Sequence, residues 1–276
     1  MKWLHFILSH SVFIACCAVA LAFQSAQLLG FNNSPYVYGF IFFATLCSYN
    51  FYWLLSKIAF ADKKNILKII QKDSSGIVLL ILSATGLLIC FYFSRLTIAY
   101  VSLAVLLTLA YAVPLLPIKF LLFTRKAGVL KTLLLAFTWA YVTVFIPLQK
   151  SFPALDHADY FILTRRFLFM LMLCIIFDNR DKAIDKIRGL HSLATDLKPV
   201  VLKVIIYLIF AVLFISNFLY RDYGLSLSQS VALQVSTLAL LVVYFYAAKP
   251  RSYLFYYFIV DGLMLFSALA TGIASI

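Results

Sequence analysis

The stretch "RFLFMLMLCIIFDNRDKAIDKIRG", residues 166–189, decides how this chain is read. An apolar run ends on Asp178, Asp181 and Asp185, in a sequence whose ten acidic residues include no glutamate. At ~100° per residue, the spacing i, i+3, i+7 places all three within about 60° on one helix face. Like charges on one stripe repel, so something cationic must lie against them. Two readings satisfy that demand. One is a solvated, salt-bridged stripe, pairing Asp178 with Lys182 and Asp185 with Arg188. The other is a hard divalent cation such as Mg2+, which takes one or two carboxylates together with phosphate oxygens. The second also gives the many surrounding Lys and Arg residues an anion to meet.

Outward from this stretch, the chain is 276 residues long, 64% hydrophobic and only 12% charged. Apolar runs of about 20 residues recur, the length a helix needs to cross ~30 Å of hydrocarbon. Lipid demands that every backbone polar group be satisfied internally, so spans are helices or a closed barrel. The runs are continuous rather than alternating, which excludes the barrel. The net charge of +13 points to loops facing anionic lipid, or to an anionic substrate. No nucleic-acid motif appears. The five cysteines lie in apolar runs without a C-x-x-C pair, so they are read as small buried hydrophobes.

Nine spans are expected, at roughly 4–29, 35–60, 76–94, 98–117, 128–149, 160–178, 200–220, 226–248 and 252–275. The first follows "MKW" and is read as a retained helix rather than a removed signal. One all-α domain over residues 1–276 is the simplest architecture. Of the 23 Lys and Arg, seventeen fall at the N-terminus and in the even-numbered connections, and five on the other side. By the positive-inside rule the N-terminus is cytoplasmic and the C-terminus outside, in an inner membrane. Arg165 and Arg166 open span six, and there we expect them to snorkel outward.

"DNRDKAIDKIRGLHSL", Asp178 to Leu193, resembles the second aspartate-rich motif of UbiA-type intramembrane prenyltransferases, D-x-R-D-x-x-x-D-x-x-x-G-x-x-T-L. It matches at Asp178, Arg180, Asp181, Asp185, Gly189 and Leu193, with Ser192 where Thr is usual. The resemblance implies a nine-helix bundle with a cytoplasm-facing, lipid-accessible cavity. There aspartate motifs hold magnesium on an isoprenyl diphosphate, and an allyl cation alkylates a lipophilic acceptor. The catalytic and metal-binding residues it implies are Asp178, Asp181 and Asp185. The family's first motif, N-x-x-x-D-x-x-x-D, is degenerate here. Asn50 fills its first position, and Leu54 and Ile58 stand where the aspartates belong.

One metal site is therefore absent, and positive charge is short where the diphosphate departs. Lys57, seven residues after Asn50, supplies a fixed cation on nearly the same helix face, or else snorkels to headgroups. Lys119, Arg125, Lys126 and Lys182 are further phosphate contacts or ordinary loop charges, and Arg180 an orienting residue. Asp261, inside the last apolar run, is either a structural acid or a base lining the acceptor pocket. Tyr49, Tyr52 and Tyr111 offer ring faces to a carbocation or simply pack. The expected activity is prenyl transfer. The alternative is a non-catalytic protein that binds a polyprenyl or phospho-lipid. A transporter is disfavoured, because no pair of Gly/Pro-broken helices is present.

Overall fold

The computed structural model describes residues 2–59, 74–112 and 128–275. Among them the architecture is entirely helical. The main helices are α1 (Lys2–Ser9), α2 (Val12–Leu28), α3 (Pro35–Ala59), α4 (Ser74–Ser94), α5 (Ile98–Ala112) and α6 (Gly128–Leu148). They continue with α7 (His157–Arg188), the single turn α8 (Leu193–Asp196), α9 (Pro199–Ser216), α10 (Leu227–Tyr246) and α11 (Phe255–Ala274). Among the described residues seven helices are long and apolar enough to cross a membrane, or eight if α1 and α2 are counted as one span. The fourth expected span, 98–117, is described over 15 residues as α5, and its remaining residues lie outside the described ones.

The chain is thus a multi-pass membrane protein with α7 as its most enclosed long helix and α4 as its least. The core gathers Leu21, Tyr141, Phe145, Met172 and Ile175, from α2, α6 and α7. Both termini of α7 are written in its sequence. Asp156 caps the start, accepting from the Asp159 N–H, while Asp159 accepts from the Asp156 N–H. Outside the spans, the Asp159 N–H and Lys150 hold the Asp156 carboxyl below the usual carboxylate range. Gly189 ends the helix at φ 64°, a left-handed conformation that glycine adopts without strain. At 32 residues and ~1.5 Å per residue, α7 outruns the hydrocarbon. Its last three turns carry the aspartate stripe out of the bilayer as helix.

Two expectations are corrected. Span one is not a single helix: α1 and α2 meet at a 67° bend, with Ser11 left-handed at φ 63°. The exposed Trp3, Phe6 and Ile7 give α1 the character of an interfacial helix. His10 ties it down, its Nε2 lying 3.0 Å from Ser75 Oγ. Nor do Arg165 and Arg166 snorkel; they are buried at 8% and 5% exposure. Arg165 Nη1 donates to Leu213 O (3.0 Å) and to Ser216 Oγ. Arg166 Nη2 donates to Leu21 O, Gln24 Oε1 and Ser25 Oγ at 2.8–3.1 Å. Acceptors from α2 and α9 stand in for headgroup water.

At the start of α6, Gly128 lies against the loop that follows α7. A Cβ there would sit 2.4 Å from Ser192 N and 2.5 Å from Asp196 Oδ2. Backbone blocks that space, so Gly128→Ala should destabilise the protein by about 1–3 kcal/mol. Gly262→Ala, whose Cβ would meet only Phe13 Cζ at 3.7 Å, serves as control. Thermal unfolding of the two variants in detergent measures the difference.

Candidate functional site

A cavity of about 1880 Å³ occupies the end of the bundle that carries the aspartate stripe. Asn50, Lys57, Asp178, Arg180, Asp181, Lys182 and Asp185 all line it. Residues 130 positions apart in sequence are thereby brought to one place. Lys119, Arg125 and Lys126 lie outside the described residues. Deeper in, the lining turns apolar and aromatic, through Phe40, Leu87, Phe91, Val101, Trp139 and Met170.

Each member of the stripe has its own partners. Asp178 Oδ2 accepts from Thr132 Oγ1 at 2.6 Å and from Leu193 N at 3.2 Å. It therefore fastens α7 to α6 and to the start of α8, rather than pairing with Lys182. Asp181 is gripped by Arg180 through two parallel bonds, Nε–Oδ1 at 2.7 Å and Nη2–Oδ2 at 2.8 Å. Such bidentate pairs fix orientation as well as charge. The Arg180 guanidinium in turn lies over Phe177, Tyr256 and Tyr257, 4.8–5.1 Å from the three ring centroids. Helical phasing alone sets Arg180 apart from the stripe; the long side chain bends back to meet it. Asp185 feels Lys131 and Arg188 electrostatically. The cations demanded by three like charges are thus Arg180, Lys131 and Arg188.

Asn50, at 8% exposure, commits its amide nitrogen to backbone carbonyls. Its Nδ2 donates to His10 O (3.1 Å) and to Leu46 O (2.8 Å). It thereby supports the bend between α1 and α2. Leu54 lines the cavity wall, where the resemblance called for a carboxylate. Tyr52 and Tyr111 pack 5.1 Å apart, with Lys131 Nζ 5.4 Å from the Tyr111 ring. Tyr49 meets Trp139 edge-on at 6.2 Å. Asp261, 5% exposed, lines the same cavity just after a wide π-helical turn, Phe255–Val260. That turn lets two successive tyrosines, Tyr256 and Tyr257, both reach Arg180.

Nothing local marks Lys131, Thr132, Tyr256 or Tyr257 as site residues. Thr132 resembles any other mid-helix threonine until the fold sets it against Asp178.

The implied magnesium asks for oxygen donors within reach of one another. Among the described residues no group of three or more His, Cys or Asp side chains is placed to hold a metal ion. Asp178 and Asp185 lie about 10 Å apart along the helix axis, too far to share one ion. Asp181 and Asp185, one turn apart, match the one or two carboxylates that Mg2+ takes when phosphate supplies the remaining oxygens. The residues therefore fit a metal shared with a phosphorylated ligand, and not one caged by protein alone.

The chain is similar to the apo structure of a UbiA homolog from Aeropyrum pernix K1, with a TM-score of 0.58 and 14% identity over 97% of each chain. At that identity the likeness establishes the fold, and the chain has the fold of a UbiA homolog. No family model matches the sequence, and no curated protein matches it.

The Thr132–Asp178 bond makes a direct prediction. Thr132→Val removes the hydroxyl and leaves the carboxylate short of a donor, a loss of about 1–3 kcal/mol. Thr132→Ser restores it. Unfolding midpoints of the two variants should differ by that amount.

Proposed function

We propose that this chain is a UbiA-like protein of an inner membrane that binds an isoprenyl diphosphate and transfers its isoprenyl group to a lipophilic acceptor. The observation that carries this reading is the single cavity that joins a charged rim to an aromatic and aliphatic interior. An amphiphile with an anionic head and a long apolar tail matches both halves. On the positive-inside distribution the cavity faces the cytoplasm, with the N-terminus on that side and the C-terminus outside.

The proposed chemistry follows from the placements. Lys57, Lys131 and Lys182 on the rim attract the diphosphate. Asp181 and Asp185 would hold Mg2+ against its oxygens, and the bound ion would supply charge neutralisation for the leaving diphosphate. Arg180 positions Asp181. The apolar walls exclude water, which would otherwise capture the allyl cation. The ring faces of Tyr49, Tyr52, Tyr111 and Trp139 stabilise positive charge there. Asp261 is the carboxylate within the cavity suited to receive the proton that the acceptor loses.

A second reading, binding without transfer, is favoured by specific observations. Leu54 and Ile58 replace two carboxylates, and Asn50 spends its amide on backbone carbonyls. The two readings separate in one assay. Purified protein is incubated with radiolabelled isoprenyl diphosphates of several chain lengths, with and without Mg2+. Transfer predicts Mg2+-dependent diphosphate release that Asp185→Asn abolishes. Binding of every ligand without release establishes the second reading. In the same titration Lys57→Ala should weaken binding by about tenfold, or ~1.4 kcal/mol. Lys198→Ala, exposed and off the cavity, should leave it unchanged.

A further inference from the structure

A second, smaller cavity of about 30 Å³ lies toward the other end of α7 and shares no lining residue with the first. Arg165 and Arg166 both line it, with Gln24, Ser236, Thr237 and Ser267. Two adjacent guanidinium groups at 8% and 5% exposure put like charges side by side in a medium of low dielectric. Neither forms an ion pair with a carboxylate among the described residues. Their neutral acceptors are also unevenly shared. Arg166 Nη2 serves three oxygens, while Arg166 Nη1 is buried without a hydrogen-bond partner. Gln24 cannot turn to help, because its Nε2 is committed to Ser267 O, Ser267 Oγ and Thr271 Oγ1, each at 3.0 Å.

A buried charge of this kind is expected to be paired. Here no carboxylate among the described residues supplies that partner, and a space lies beside the two guanidinium groups. Size limits the occupant. A water requires roughly 10–15 Å³ of such space, so about 30 Å³ takes two or so waters or one monatomic anion, and is far too little for a lipid headgroup. We propose that it is a binding site for a small monovalent anion of the halide class, held by Arg165 and Arg166. The anion would take the idle Arg166 Nη1–H groups and offset one of the two adjacent positive charges. It would also join α7 to α2 and α11 at the level of Gln24 and Ser267. This site is independent of prenyl transfer, and its role is to complete the packing of the bundle.

The test uses the whole purified protein in detergent. Thermal unfolding is measured in sodium chloride and in sodium gluconate at equal ionic strength, gluconate being too large for the cavity. Saturating chloride should raise the midpoint by about 2–4 °C, with bromide substituting for it. Arg166→Gln should abolish the difference between the two salts. Crystals grown in bromide should show an anomalous peak between Arg165 and Arg166. This readout needs no variant and decides the matter even if Arg166→Gln fails to fold. Absence of that peak, with equal midpoints in chloride and gluconate, would mean that water fills the space and would overturn the proposal.

Discussion

In hydrocarbon an unmatched polar group is costly, and α7 carries several charged side chains through the bundle. How those side chains are matched fixes where the neighbouring helices lie. Near one end Arg165 and Arg166 engage α9 and α2. Near the other, Asp178 engages α6 and the turn before α8, and Arg180 is enclosed by rings from α11. The apolar stretch between them packs without direction, since side chains and lipid tails are equally oily. Directional polar contacts at the two levels therefore specify the helix arrangement more sharply than the greasy middle does. The large cavity can exist because the polar contacts, and not close packing alone, hold its walls in place.

Sequence made one half of this arrangement visible. The aspartate stripe needed only helical geometry to be placed on one face, while the caps Asp156 and Gly189 carry that helix well past the expected span of 160–178. Hydropathy gave the order of the spans, because run length is a one-dimensional quantity. The other half depended on partners far away in the chain. Arg165 and Arg166 look like snorkelling residues to any reader of local sequence. The burial of Arg166 rests on Leu21, Gln24 and Ser25, about 140 residues earlier, and that of Arg165 on Leu213 and Ser216, about 50 residues later. The bend at Ser11 carries neither proline nor glycine, and the residue that supports it, Asn50, belongs to another helix. Arg180 was misplaced by phasing because a helical wheel tracks Cβ directions and not the reach of a guanidinium.

The charge pattern of the site follows from the same constraint. Three aspartates on one stripe repel one another, yet their cationic partners differ in kind. Arg180 is clamped by aromatic rings and by Asp181, so it is a fixed part of the wall. Lys131 and Lys182 end in flexible stems and strongly hydrated ammonium groups. On the proposed reading, a diphosphate entering the cavity therefore meets cations that can move toward it and one that cannot. That division gives the head group a place to bind without dissolving the structure that holds Asp181.

On the proposed reading, the loss of carboxylates from α3 changes what the ligand's charge must balance. Where a metal would have bridged α3 to the diphosphate, the cavity wall offers Leu54, and the rim beyond it offers Lys57. A metal ion concentrates two charges on the oxygens that gain charge as the C–O bond breaks, whereas a lysine supplies one on a flexible stem. The exchange preserves attraction for the ground-state diphosphate better than it preserves stabilisation of the departing one. Catalysis depends on the difference between those two quantities. The identity of residues 54 and 58 thus bears on turnover far more than on binding. A UbiA fold can lose both aspartates and still keep a cavity shaped for an isoprenoid tail and an anionic head.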